Sequence, residues 1–448
     1  MKILLAHFRV GETDGVSLEM DKWKYILEKN GHTCFYLSGN KSEQTDFVIP
    51  EMHYLGKTNK KFVDNCYKEL TDYSNEETLK AEIFAYADKI KEQLREIILR
   101  NKIDLVIPNN IWSLGWHLPT GIAFTEVAHE LKDVQFLAHN HDFYWERPLY
   151  SNPVCKFVNE ILENYFMPVG DNIRHVVINK IAQEEVKIRK NIDAIVVPNV
   201  FDFEVESWKI DEFNRDLREK TGAGPNDIIA LQATRISERK AIEFAILTIK
   251  EMNEIKSEYI GKTLYDGRIW TDKSKIHFVL AGLDESLGSG YFQKLQQKLN
   301  EENISFKHIN AFVGHSRSYA SSKQYSLWDS YTISDFVTYP SILEGWGNQL
   351  LEAMFARKPI LYYEYPVFLK DLKDYGIEGV SLGSKYYKTK PLLSLDKDIV
   401  RKCARGMMDL LFDKEKYEKI VETNFLIGKK YFSYQALDVI LNKALTRC

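Results

Sequence analysis

Two carboxylates eight residues apart, Glu344 and Glu352, frame the stretch Glu344-Gly345-Trp346-Gly347-Asn348-Gln349-Leu350-Leu351-Glu352-Ala353. Upstream, residues 334–341 read as a strand ending in a Pro-Ser turn; downstream, Leu350, Leu351, Met354 and Phe355 recur at helical spacing. Glu344 therefore falls in a loop, and Glu352 within a helix that starts near Asn348. Gly345 and Gly347 let backbone approach a ligand closely, and amides at a helix start suit phosphate. Ionised carboxylates only accept hydrogen bonds, so they match a ligand rich in hydroxyls. A nucleotide sugar has hydroxyls around a diphosphate. A glycine turn with solvated glutamates fits the same stretch.

Other strand ends carry further chemistry. Arg235 and Lys240 follow the apolar run 228–234 and precede a helical pattern over 241–250; the role of Arg239, beside Lys240, stays open. Two fixed cations can neutralise a departing diphosphate, each charge-assisted hydrogen bond contributing roughly 1.5–3 kcal/mol. His141-Asp142 ends the strand 134–138; an imidazole can bond a sugar hydroxyl in either tautomer, and the adjacent Asp can orient it. His139 shares a strand face with His141, but no third ligand spacing presents itself and no metal is expected. Tyr144, Trp145 and Arg147 put aromatics beside a guanidinium, a candidate acceptor pocket with Asp142; Trp112 and His117, with Asn109, Asn110 and Trp116, could line it. A packed aromatic loop with an ion pair remains the alternative. Asp396-Lys397-Asp398 is a literal D-x-D, read as helix capping rather than a metal motif because it opens the helix 399–411.

The Glu344 to Glu352 stretch resembles the E-x7-E signature of retaining glycosyltransferases of family 4, with Trp346 where Phe is usual and Asn348-Gln349 where small or apolar residues are commoner. The resemblance extends, in order, to the first loop Gly11 to Val16, His141-Asp142, and Arg235 with Lys240. It implies the GT-B fold, an α/β architecture of two Rossmann-like domains facing a central cleft. It also implies a retaining, metal-independent hexosyltransferase using a nucleoside-diphosphate sugar and no cofactor. In the donor site, Arg235 and Lys240 would stabilise the diphosphate, Glu344 with the backbone of Gly345, Gly347, Asn348 and Gln349 would bind the sugar, and Glu352 the ribose. His141 would support the sugar, and Gly15 would approach the diphosphate. Catalytic roles thus fall to His141, Glu344, Arg235 and Lys240. Two other readings stay open: a nucleotide-sugar epimerase on the same scaffold, and a non-catalytic sugar-nucleotide-binding protein.

The elements that must position these residues alternate along the chain. Strand-like runs at 2–8, 33–37, 103–108, 134–138 and 192–198 are separated by helical patterns at 16–29, 76–100 and 120–131. A second unit has strands at 228–234, 276–281, 334–339 and 359–362. Such alternation means parallel sheets covered by helices, with ligands at the carboxyl ends of the strands. Residues 1–205 form the first expected domain and 220–429 the second, with a charged linker over 201–225 and a C-terminal helix within 430–448 returning to the first. Residues 257–274 and 314–330 read as surface insertions or mobile loops.

A chain of 448 residues exceeds one ordinary core. With 44% apolar and 28% charged residues and no apolar run near the ~20 residues of a membrane span, a soluble cytoplasmic protein without membrane insertion is expected. The start is too short for a signal peptide before the first strand pattern. Cys34, Cys66, Cys155, Cys403 and Cys448 lie far apart, giving no disulfide or zinc pattern. The net charge is −4, and residues 1–200 carry about five more acidic than basic groups, which argues against nucleic acid and anionic lipid. The expected acceptor is accordingly a small soluble sugar or anionic hydroxy acid.

Overall fold

The computed structural model describes residues 1–446 apart from 13, 287, 320 and 321. Thr13 of the first loop and Cys448 thus lie outside the described residues. The chain divides into two compact units, Met1–Val200 with Tyr434–Cys448, and Phe201–Ser433.

In the first unit seven parallel strands form one sheet: β1 (Lys2–Ala6), β2 (Thr33–Ser38), β3 (Phe47–Val48), β4 (Leu105–Pro108), β5 (Gln135–Asn140), β6 (Ile173–Val177) and β7 (Ile195–Val196). Their order is 3-2-1-4-5-6-7. The strands are apolar nearly throughout because both faces are covered. Along β1, Leu4 and Ala6 pack on one side with Val106, Phe124 and Ile98, while Ile3 and Leu5 pack on the other with Trp23, Leu105 and Leu137. The second layer is closed by Leu437, Leu441 and Ala444 of the C-terminal helix Tyr434–Leu445.

The second unit repeats the plan with β8 (Ile228–Gln232), β9 (Ile276–Leu280), β10 (Ser305–His308), β11 (Val313–Gly314), β12 (Tyr325–Ser326), β13 (Phe336–Tyr339), β14 (Ile360–Tyr362) and β15 (Val380–Ser381). Its main sheet runs 10-9-8-13-14-15, again parallel. In both sheets the order reverses beside the first strand, between β1 and β4 and between β8 and β13. A doubly wound sheet opens its ligand crevice at such a switch point, outside the strands' carboxyl ends.

Several sequence expectations change. The strand at 192–198 shrinks to Ile195–Val196, while the helices Lys57–Tyr67, Lys156–Asn164 and Lys180–Lys190 and the strand β6 join the fold unannounced. The helix expected from 241 starts at Glu243, because Glu238–Lys240 form a tight turn that ends in left-handed Ala241, φ 44°. The stretch 201–225 is no free linker. Phe201, Phe203 and Trp208 pack on Phe355, and the Asn214 amide donates to buried Asp329 at 2.8 Å. Nor is 257–274 a loose loop: Thr263 pairs with Ile269, Trp270 is buried, and Arg268 bonds the buried Asp335 carboxylate. In 314–330, Ser318 bridges to Gln324 and Arg317 reaches both Asp211, at 2.6 Å, and Asp329. Asp396 caps the helix Lys397–Leu411, accepting from the amides of Asp398 and Ile399. No described helix is long and apolar enough to cross a membrane.

Candidate active site

In the second unit three of the charged residues singled out by sequence, Arg239, Lys240 and Glu344, gather at the β8/β13 switch point. The turn after β8 carries Arg239 and Lys240, and the loop after β13 carries Glu344. Lys240 Nζ bonds Glu344 Oε1, while Arg239 Nη1 donates to Glu344 Oε2 at 2.9 Å and to the Leu343 carbonyl at 3.1 Å. The Ile342 amide returns a bond to the Arg239 carbonyl, 3.0 Å. Two loops are thereby stitched together by one carboxylate between two cations. Burial pushes the Glu344 carboxyl up, but Lys240 and Arg239 outweigh it and hold it below the usual carboxylate range. Burial pushes the Lys240 ammonium down, and Glu344 only partly offsets this. Arg235 stands apart, 56% exposed and paired with Glu285 at 2.6 Å.

The helix Asn348–Phe355 opens beside this cluster. Its N-cap is Gly347, which offers no side chain to cap the first amides. Gly347 has φ 153°, and a Cβ there would lie 2.4 Å from the Tyr365 hydroxyl, which itself donates to the Trp346 carbonyl at 2.5 Å. The loop is built for a glycine. One turn into the helix, Glu352 accepts from the Tyr331 hydroxyl at 2.6 Å. Gln349 is buried and its amide faces the Thr338 carbonyl, 3.5 Å, so its side chain supports the helix from beneath.

The first unit gathers its polar groups at the β1/β4 switch point and the neighbouring end of β5. Trp23 stacks on His139, ring centroids 4.1 Å apart, and His141 lies tilted against His139 at 4.0 Å. His7 Nδ1 lies 2.8 Å from the Asn109 carbonyl, and His139 Nδ1 lies 3.1 Å from Asn109 Oδ1. Burial lowers His7 and His141 to about 4 and His139 well below its ordinary value, so all three imidazoles are neutral near pH 7. Asn110, in the left-handed region with φ 56°, accepts from the amides of His141, 2.7 Å, and Asp142, 3.2 Å. The dipeptide His141-Asp142 is thus fixed by its backbone. Among the described residues, no group of three or more potential ligands could hold a metal ion.

Several candidates fall elsewhere. Trp112 is fully buried in the core, its indole donating to the Gly121 carbonyl at 3.3 Å. His117 is equally buried and caps the helix Leu118–Glu130, its Nδ1 accepting from the Thr120 amide. Tyr144 packs edge-on against Trp145, which stacks on Phe143 and lies beneath Arg189; Arg147 pairs with Asp142 at 2.7 Å. This is a packed aromatic loop with an ion pair. Gly15 heads the helix Gly15–Lys29, but Asp14 already accepts from the Val16 and Ser17 amides, and the left-handed glycine of the loop is Gly11, φ 80°. Sequence reasoning singled out none of His7, Arg9 and Tyr54; the first two sit just beyond β1, a signal that was available, whereas Tyr54 follows β3 and the turn Pro50–Met52.

Residues 213–385 match the family described as glycosyl transferases group 1. The crystal structure of a glycosyltransferase from Rickettsia africae superposes with a TM-score of 0.61 at 14% identity, covering 100% of this chain and 97% of that one. Fold and match together define the class, a glycosyltransferase of GT-B architecture. Two relatives are more specific. The mannosylglucosylglycerate synthase of Petrotoga mobilis is 39% identical over 96% of this chain and 98% of its own length, and that of Thermotoga maritima is 37% identical over 99% of both. The chain belongs to the family of these synthases.

Proposed function

We propose that the protein transfers a mannosyl group from a nucleoside-diphosphate mannose to a hydroxyl of glucosylglycerate, forming mannosylglucosylglycerate with retention at the anomeric carbon. The observation that carries the reading is Glu344 held by Lys240 and Arg239 at the mouth of a helix whose N-cap has no side chain. The names of the two relatives supply the product.

Donor binding falls to the second unit. As the C1–O bond to the diphosphate breaks, its electron pair stays on the phosphate oxygen, where Lys240 and Arg235 neutralise it. Arg239 keeps Glu344 turned toward the hexose hydroxyls, and Glu352 takes the ribose. The acceptor oxygen bonds to C1 and its proton passes to the leaving phosphate, so no separate base is required. His141 stays neutral and bonds a sugar hydroxyl. The three cations do the work that a divalent ion would otherwise do, and dialysis against a chelator leaves turnover unchanged in this reading.

Purified protein is to be incubated with UDP-, GDP- or ADP-mannose and glucosylglycerate, with product followed by proton NMR. Retention appears as an axial linkage matching the donor's. Isomerised donor without transfer would instead establish the epimerase, and tight donor binding without any turnover the non-catalytic reading.

A further inference from the structure

Arg9 lies just beyond β1, at the first unit's switch point. Its guanidinium is only 21% exposed and is held from several sides. Nη1 donates to the Tyr54 hydroxyl at 2.8 Å and to Glu12 at 3.1 Å, Nε lies 3.3 Å from Asp14, and the group sits 5.1 Å from the Tyr54 ring centre. Tyr54 in turn stacks on Trp116, centroids 4.8 Å apart at 21°. The pair is locked from behind: the buried Asn59 amide donates to the carbonyls of both Tyr54, 2.9 Å, and Trp116, 3.0 Å.

The arrangement is a pre-oriented planar cation beside two stacked, partly exposed aromatic rings. A guanidinium fork matches a carboxylate in two parallel hydrogen bonds, and aromatic faces take the apolar face of a sugar or glyceryl chain. Among the described residues Nη2 makes no hydrogen bond, and Nη1 gives one of its two to Glu12, whose side chain is 43% exposed. A pair so exposed is weak and readily exchanged for an incoming carboxylate. The other candidate, Arg147, is 49% exposed, bound to Asp142, and lacks such support.

We infer that Arg9, backed by Tyr54 and Trp116, is the subsite for the carboxylate of the acceptor, and that it makes the enzyme select an anionic over a neutral glycoside. The inference rests on the acceptor proposed above.

The test compares glucosylglycerate with glucosylglycerol, which has the same sugar and no carboxylate, in the wild type, Arg9→Gln and Arg9→Lys. Arg9→Gln raises KM for glucosylglycerate about 10- to 100-fold, the scale of a lost charge-assisted bond, while kcat and the donor KM hold. Its KM for glucosylglycerol is unchanged, and Arg9→Lys recovers part of the loss because it keeps the charge without the fork. Equal loss on both acceptors, or none on the anionic one, overturns the inference while leaving the proposed reaction intact. Wild-type protein that transfers to neither acceptor overturns the proposed reaction itself, and the subsite with it. Circular dichroism melting of each variant reports folding, and Arg9→Lys carries the comparison should Arg9→Gln not fold.

Discussion

At the scale of single residues, the environment decides how firmly each of two similar groups is held. Arg235 and Lys240 look equivalent in the sequence, yet one is exposed beside Glu285 and the other is buried against Glu344. Replacing Arg235 with Ala therefore costs less than about 1 kcal/mol of stability, as for other exposed pairs, while donor KM rises and kcat falls; melting and steady-state rates separate the two effects. Histidine protonation gives a second expectation. His7 and His141 titrate at about 4 in the folded chain because burial opposes their charge, against 6.5 when unfolded, and His139 lies lower still. The unfolded state thus binds more protons below pH 6.5, and stability contributed by these imidazoles is full above that value and falls as pH drops toward 4. Urea unfolding between pH 7.5 and 4.5 should show it, with the three ring signals still neutral by NMR at pH 5.5.

At the scale of elements, the loop after β13 shows what a motif encodes. Gly347 was legible as a close-approach glycine, but its reason was not: the sequence does not say that Tyr365, eighteen residues on, fills the space a Cβ would need. Gly347→Ala meets both the unfavourable φ and that hydroxyl, and should cost about 2–4 kcal/mol and most of the activity; Tyr365→Phe in the same chain relieves only the collision. The elements read best from sequence were continuous apolar runs such as Ile228–Gln232 and capped helices such as Gly15–Lys29. Those read worst owe their structure to distant partners. The insertion at 257–274 carries a loop composition, and it is fixed by Arg268 on Asp335 and by the Tyr265 ring stacked 3.7 Å from Tyr417. Trp112 and His117 were misread for a related reason. They follow a strand end, as ligand-binding residues do, but the chain turns them inward, and Trp116 between them is the one left partly exposed.

At the scale of the whole molecule, the same strand order recurs in both units, and each gathers its polar groups where that order reverses. The second unit's cluster was readable because Arg239, Lys240 and Glu344 lie in two short motifs. The first unit's cluster draws on the ends of β1, β4 and β5, over a hundred residues apart, and of it the sequence picked out His141-Asp142, Asn109 and Asn110 but not His7. The helix Tyr434–Leu445 belongs to that unit's core, so a chain ending at Ser433 leaves the seats of Leu437, Leu441 and Ala444 empty beside Trp23. Such a truncation should melt the first unit at lower temperature, with hydrogen exchange rising in the helix Gly15–Lys29 before any element of the second unit. The proposed donor site depends on Lys240 as its buried cation, and the most direct measurement is the rate of mannosyl transfer to glucosylglycerate by Lys240→Met. Loss of one preorganised cation predicts a kcat fall of about 10²- to 10³-fold with retained fold by circular dichroism. A folded Lys240→Met protein that turns over at the wild-type rate would contradict it.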